Sequence, residues 1–153
     1  MKENEAWILK DMKAPKNSRC VFLTSSGTGA MESCVMNILN DQDKVLVVNG
    51  GSFGQRFVEM CELHHRNMTE IKCEFGHQVK AEQLEQYAGQ GYTAFLINMD
   101  ETSSGTLYDM KLVSDFCKRE KILLIVDAVS AFIADELNME EIHAAAVLTG
   151  SQK

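Results

Sequence analysis

The stretch that decides the fold is KILLIVDAVS, from Lys121 to Ser130. Its first six residues form an almost unbroken apolar run, which is typical of a parallel β-strand buried on both faces. The run ends at Asp127, and a carboxylate at the end of a buried strand needs a cationic or N–H partner. Aspartate is also common in turns and caps that follow strands, so a purely structural role for Asp127 stays open at this point.

Strand-like runs alternate with helical patterns along the rest of the chain. The run Thr69–Glu74 is more polar and is expected nearer a sheet edge, whereas Ala144–Leu148 suits a strand covered on both faces. This alternation predicts an α/β fold: a mostly parallel sheet with helices on both faces, in three αβα layers. The other predicted strands are Cys20–Thr24, Asp43–Val48, Tyr92–Met99 and Lys121–Val126, and the predicted helices are Glu3–Met12, Met31–Leu39, Phe57–Leu63, Val79–Tyr87 and Met110–Arg119.

Composition limits the classes of partner. With 153 residues the chain is long enough for one domain with a substantial core. The net charge of −7, with lysine and arginine scattered, argues against a nucleic-acid surface and against an anionic membrane. No apolar run approaches the roughly 20 residues that span a bilayer, and the first residues lack the apolar region of a signal peptide. We therefore expect a cytoplasmic protein.

The cysteines and histidines do not predict a metal site. The 5 cysteines form no C-x-x-C pair and are odd in number, so we expect reduced core thiols rather than disulfides or zinc ligands. His64 and His65 are adjacent and therefore point to different sides of a helix, while His77 and His143 lie in unrelated segments.

Polar loops follow the predicted strands. In a parallel sheet the ligand site lies outside the carboxyl ends of the strands, so these loops are expected to meet there. The loops are Ser25–Ala30, Asn49–Arg56, Asp100–Thr106, Asp127–Ser130 and Ser151–Lys153.

Three of these loops have two interpretations each. The Gly27-Thr28-Gly29 segment matches neither a Walker A loop nor a full dinucleotide fingerprint; it could hold a phosphate on unpaired N–H groups or form a turn with an N-cap. Phe53 could stack on a flat ligand or tuck under the next helix. Lys153 could be a desolvated amine that forms a Schiff base, or a solvated surface residue.

Taken together, the loops offer the groups that one cofactor requires. A phosphate cradle, an aromatic platform, a hydroxyl donor, a buried carboxylate and a strand-end lysine are the parts needed to bind and use pyridoxal 5′-phosphate. The lysine takes the aldehyde, and the carboxylate keeps the pyridine nitrogen protonated.

Five segments, in order, resemble consecutive motifs of the class V (fold type I) aminotransferases. The likeness is nearest to the alanine:glyoxylate, serine:pyruvate and 2-aminoethylphosphonate:pyruvate branch. The segments are SGTGAME at Ser26–Glu32, NGGSFGQR at Asn49–Arg56, ETSSG at Glu101–Gly105, VDAVS at Val126–Ser130 and TGSQK at Thr149–Lys153.

The resemblance implies a role for each site residue. Lys153 would form the Schiff base and then move the proton between substrate and cofactor. Asp127 would pair with the pyridinium nitrogen, and Thr102 would hydrogen-bond the ring hydroxyl. Val129 would pack on the ring face opposite Phe53, which stands where many relatives carry tryptophan.

The phosphate would be bound by Ser26, Gly27 and Thr28, with Gln152 nearby. The reaction implied is transfer of an amino group from a small donor (alanine, serine or aminoethylphosphonate type) to a 2-oxo acid such as pyruvate or glyoxylate. Related cysteine desulfurases carry histidines where this chain has Gln152 and Phe53, which favours transamination over such lyase chemistry. A non-catalytic phosphate-binding α/β module is the alternative from another class.

Members of this family are longer than this chain. We therefore expect residues 1–153 to be part of the cofactor-binding large domain, without an N-terminal segment and without the C-terminal small domain. The resemblance also implies a homodimer whose active sites are shared between subunits.

Overall fold

A computed structural model describes residues 1–152 of the chain. Its main sheet has five parallel strands in the order β2-β1-β3-β6-β7. A short antiparallel pair, β4 and β5, follows β3 and forms a separate two-stranded sheet. The strands are β1 Lys44–Asn49, β2 Asn67–Lys72, β3 Ala94–Asn98, β4 Asp100–Glu101, β5 Thr106–Leu107, β6 Leu123–Asp127 and β7 Ala144–Leu148.

Helices cover both faces of this sheet, which confirms the predicted αβα layers. Side chains of β1 alternate between the faces: Val45 and Val47 pack in one core cluster, and Leu46 and Val48 in the other. The first cluster includes residues of α2 and α3, and the second includes residues of α4 and α5. The helices are α1 Lys2–Asp11, α2 Gly27–Asn37, α3 Ser52–Leu63, α4 Ala81–Glu85 and α5 Met110–Glu120.

The central strands are the most apolar ones. All of β3 is buried, and so are the residues of β6 from Leu124 onward. The two strands pair in register, so that Asn98 lies directly opposite Asp127 at their carboxyl ends. The more polar β2 lies at an edge of the sheet, as predicted for Thr69–Glu74.

One strand prediction is wrong, and a second is confirmed except for the burial of both faces. Residues 20–24 are irregular rather than a strand, and Val21, Phe22 and Leu23 are 78%, 43% and 47% exposed. An apolar run becomes a strand only where a neighbour can pair with its backbone, and no described strand pairs with this run. Ala144–Leu148 forms a strand as predicted, but β7 ends the described sheet, and Ala145 is exposed instead of covered.

No helix among residues 1–152 is both long and apolar enough to cross a membrane.

Candidate active site

An open cavity lies at the carboxyl ends of the strands. The loops after β1, β3, β6 and β7 contribute to its wall, together with the start of α2. Most of the predicted site residues line it: Gly27, Thr28, Phe53, Thr102, Asp127, Val129 and Gln152. Ser26 adjoins the cavity as the N-cap of α2, and Lys153 lies outside the described residues.

The start of α2 offers backbone donors to an anion. The Ser26 hydroxyl accepts a hydrogen bond from Gly29 N–H at 3.3 Å, and Ala30 N–H bonds to the Ser26 carbonyl. The N–H groups of Gly27 and Thr28 precede these bonds and therefore have no acceptor within the helix. Such groups, at the positive end of the helix dipole, favour a negatively charged ligand.

Glycine at position 27 allows the Asp127 loop to approach. A Cβ added there would lie 2.9 Å from Cγ2 of Val129, closer than real Cβ contacts. Gly150 is also close, because a Cβ on it would lie 3.7 Å from the nitrogen of Gly27. The loop before α2 and the loops after β6 and β7 therefore pack directly on one another.

Asp127 is held by donors from two neighbouring elements. Its side chain is only 5% exposed; Oδ2 accepts from Asn98 Nδ2 at 2.6 Å, and Oδ1 accepts from Val129 N–H at 2.9 Å. Both bonds fix the orientation of the carboxylate. The predicted N–H partner is confirmed. Asn98 was not predicted, although a polar residue at the end of the apolar run Tyr92–Met99 was a usable signal.

Phe53 lies in the first turn of α3, not in a free-standing loop, and is half-buried. The guanidinium carbon of Arg56 is 4.4 Å from the centroid of its ring. Arg56 also donates from Nη1 to Thr28 Oγ1 at 2.7 Å, and all three residues line the cavity. Arg56 is not among the residues predicted for the site, because a single arginine in the first turns of a helix resembles many surface residues.

Glu101 is a buried carboxylate that caps α3 from another loop. It is 1% exposed, and its Oε2 accepts from Phe53 N–H at 3.1 Å and from Gly54 N–H at 2.8 Å. Its Oε1 accepts from the N–H and the hydroxyl of Ser103, at 3.1 and 2.6 Å. An anion at this helix end satisfies donors that the helix itself leaves unpaired. Glu101 thus fixes the backbone of the aromatic platform.

The cap requires glycine at the position before the helix. Gly51 is the N-cap residue and has no side chain to accept a bond, so the Ser103 hydroxyl accepts from Ser52 N–H at 2.8 Å instead. A Cβ on Gly51 would lie 2.3 Å from Ser103 Oγ and 2.7 Å from Glu101 Cδ. The absence of a side chain at Gly51 therefore lets the β4–β5 loop supply the cap.

Thr102, next to Glu101, shares a hydrogen bond between its hydroxyl and that of Ser130. This bond joins the loop after β3 to the loop after β6, and Thr102, Ser130 and Asp127 all line the cavity. The predicted hydroxyl donor is thereby placed beside the predicted carboxylate.

Two of the cysteines, Cys61 and Cys117, are buried, and the other three are partly buried. All five are free, and burial raises the pKa of Cys34 to about 11 and the pKa of Cys61 to about 12. Among residues 1–152 there is no group of three histidine, cysteine, aspartate or glutamate side chains that could hold a metal ion.

Comparison with known proteins places this chain among aminotransferase sequences. The family described as aminotransferase class-V matches residues 1–153. The L-aspartate–glyoxylate aminotransferase of Paracoccus denitrificans is 33% identical over 140 residues, which are 87% of this chain and 35% of that protein. The soluble hydrogenase 42 kDa subunit of Anabaena cylindrica is 32% identical over 141 residues, or 89% of this chain and 37% of that protein.

The fold agrees with that of a solved relative. An aspartate aminotransferase of subgroup IV from Thermus thermophilus superposes with a TM-score of 0.90 at 27% identity, covering 99% of this chain and 42% of that one. The chain therefore spans well under half the length of the proteins that it matches.

Proposed function

The chain belongs to the class-V aminotransferase family, and from this we propose that the whole protein is a pyridoxal 5′-phosphate-dependent aminotransferase. It would move an amino group from a small amino donor to a 2-oxo acid such as pyruvate or glyoxylate. Residues 1–153 would be the cofactor-binding part of its large domain. The observation that carries this proposal is the single cavity in which loops from distant parts of the sequence bring together an aromatic ring, helix N–H groups and a buried carboxylate.

The residues present fit the cofactor of this family. The carboxylate of Asp127 suits a protonated ring nitrogen, the face of Phe53 suits a flat ring, and the start of α2 suits a phosphate. When bound, pyridoxal 5′-phosphate supplies an electron sink for bond changes at the α carbon of an amino acid.

The chain's own residues would bind, orient and move protons. Asp127, oriented by Asn98 and by Val129 N–H, would hold a proton at the ring nitrogen. The Thr102 hydroxyl, beside Ser130, would hydrogen-bond the ring hydroxyl. Lys153 would be the amine that holds the cofactor through its aldehyde group, and it would carry the proton at the substrate's α carbon.

Phosphate binding is proposed for the start of α2. The N–H groups of Gly27 and Thr28 and the hydroxyls of Ser26 and Thr28 are the donors, and Gln152 adds an amide at the cavity wall. Histidine is absent from positions 53 and 152, and the Paracoccus relative is named as an aspartate–glyoxylate aminotransferase. Both facts support transamination over sulfur removal from cysteine.

The direct test uses the purified full-length protein. We expect a yellow protein, or a colourless apoprotein that turns yellow with added pyridoxal 5′-phosphate, and a borohydride-fixed adduct that peptide mapping places on Lys153. A screen of alanine, serine, aspartate and aminoethylphosphonate against pyruvate and glyoxylate would then identify the substrates. A protein that stays colourless, forms no adduct and binds only inorganic phosphate or a nucleotide would instead support the non-catalytic module.

Phe53 provides a graded test of the aromatic platform. We expect Phe53→Leu to weaken the binding of pyridoxal 5′-phosphate to the full-length apoprotein about tenfold, because a flat stacking face is lost. Phe53→Trp should bind at least as tightly as the wild type, since the larger ring keeps this face. Phe75→Leu is the matched control, because Phe75 is 65% exposed and lies away from this cavity. Equal affinity of Phe53→Leu and the control would contradict stacking.

Assembly and location are part of the same proposal. We propose a homodimer with shared active sites, which analytical ultracentrifugation of the full-length protein would detect. A cytoplasmic location, expected from the sequence, would be tested by fractionating cells that produce the protein. A monomer that is fully active at all concentrations would contradict the sharing of sites.

A further inference from the structure

Arg56 connects the two parts of the cavity that are proposed to hold opposite ends of the cofactor. Its guanidinium carbon is 4.4 Å from the centroid of the Phe53 ring, and its Nη1 donates to Thr28 Oγ1 at 2.7 Å. We propose that Arg56 is a positioning residue. It would hold the ring of Phe53 and the start of α2, at Thr28, in fixed positions relative to each other before the cofactor binds. This inference rests on the proposed function.

The two contacts require the geometry of arginine. The guanidinium is planar, so one face can lie over an aromatic ring while an N–H group at its edge donates within the same plane. Lysine carries a compact ammonium on a flexible stem and does not reproduce this combination of stacking and directed donation. The positive charge of Arg56 is therefore not sufficient for this role, which also needs the planar shape of the guanidinium.

Arg56 also determines what the Thr28 hydroxyl can do. A hydroxyl has one proton to donate and two lone pairs with which to accept. Because Arg56 donates to Oγ1, the hydroxyl is left to direct its own proton elsewhere, and an anion at the start of α2 is the acceptor that the helix dipole favours. Arg56 thus makes Thr28 a donor toward a phosphate.

The contact with Phe53 has a similar effect on the ring. The guanidinium lies over the ring of Phe53 and thereby limits the positions that the ring can adopt, while Phe53 lines the cavity. Glu101 fixes the backbone of Phe53, whereas Arg56 fixes the plane of its ring. A ring and a hydroxyl that are ordered in advance lose less conformational entropy on binding, which strengthens affinity without a new contact to the ligand.

The experiment compares pyridoxal 5′-phosphate binding by full-length apoproteins. The variants are Arg56→Met, Arg56→Lys, Thr28→Val and the double variant Arg56→Met with Thr28→Val. Arg119→Met is the matched control, because Arg119 also lies over a phenylalanine ring, Phe116 at 5.5 Å, but outside the cavity. The measurements are the dissociation constant, the visible circular dichroism of the bound cofactor and the thermal midpoint of each apoprotein.

We expect Arg56→Met to bind the cofactor about tenfold more weakly and with reduced visible circular dichroism, while its apoprotein melts within a few degrees of the Arg119→Met control. Arg56→Lys should lose about as much affinity as Arg56→Met. The double variant should lose less than the two single losses combined, since Arg56 acts through Thr28.

Several results would overturn the proposal. Full affinity and full dichroism in Arg56→Lys would show that the positive charge alone matters. Tighter binding in Arg56→Met would show that the guanidinium blocks the ring face that the cofactor needs. Wild-type protein that binds no pyridoxal 5′-phosphate would refute the proposed function itself, whereas wild-type binding with unchanged variants would refute only the role of Arg56.

Discussion

Asp127→Asn is expected to lower the turnover of the full-length enzyme by about a hundredfold or more, and to weaken cofactor binding by a smaller factor. Asparagine keeps the shape of the side chain. Its oxygen can still accept from Val129 N–H, and its NH₂ group can donate to Asn98 once the Asn98 amide turns its oxygen toward it. It lacks the negative charge that would hold a proton on the ring nitrogen, and the electron sink is weaker without that proton.

Two further variants make this result specific. Asp109→Asn is the matched control. Asp109 caps α5 by accepting from Leu112 N–H at 3.0 Å, and it does not line the cavity. Asparagine can replace aspartate as a helix cap. Asn98→Leu should have an intermediate effect, because it leaves the charge of Asp127 but removes one bond that orients it. Steady-state kinetics measure the turnover, and the ¹⁵N shift of a labelled cofactor reports ring protonation. Unchanged turnover and an unchanged shift in Asp127→Asn would refute the assignment.

Glu101→Ala is expected to lower the free energy of unfolding by about 3 kcal/mol, and Glu101→Gln by about 2 kcal/mol. In the alanine variant the N–H groups of Phe53 and Gly54 lose their acceptor where the carboxylate is buried. In the glutamine variant one oxygen is replaced by an NH₂ group that must face a backbone donor, either Gly54 N–H or Ser103 N–H. Relief from burying the charge offsets part of each loss.

Urea unfolding of the full-length apoprotein measures these differences. Glu62→Gln is the control, since Glu62 lies in the same helix and is exposed. Gly51→Ala should disrupt the same cap at the N-cap position, because the added Cβ would collide with Ser103 and Glu101. If Glu101→Gln and Gly51→Ala unfolded at the same urea concentration as Glu62→Gln, the cap would not contribute to stability.

The sheet could be predicted because its signal is local. A buried parallel strand is a continuous apolar run, and Leu124–Val126 satisfies this with no reference to the rest of the chain. The run Cys20–Thr24 shows the limit of that signal. It is just as apolar, yet its conformation depends on whether another strand lies beside it, and periodicity carries no information about a neighbour.

The site residues likewise fall into those that could be predicted from the sequence and those that could not. The positions of Asp127 and Phe53 could be predicted, because each lies at or soon after the end of a strand and a parallel sheet gathers such positions at one edge. The start of α2 could be predicted from its small residues before a helical pattern, although no described strand precedes it. Glu101 and Arg56 could not, because their importance comes from contacts with residues in other loops, Glu101 with Gly54 and Arg56 with Thr28. For Glu101 the sequence offered one signal, namely a glutamate that follows a buried strand without an intervening turn.

The close contact of Gly27 with Val129 has a consequence for folding. These residues are about a hundred positions apart in sequence, and loops that long close late relative to helices and hairpins. The loop before α2 and the loop after β6 are expected to meet only after β1, β3 and β6 have assembled into one sheet. The cofactor would therefore bind only to chains whose sheet is already complete. The visible absorbance of the bound cofactor would then measure the last stage of folding, not the first.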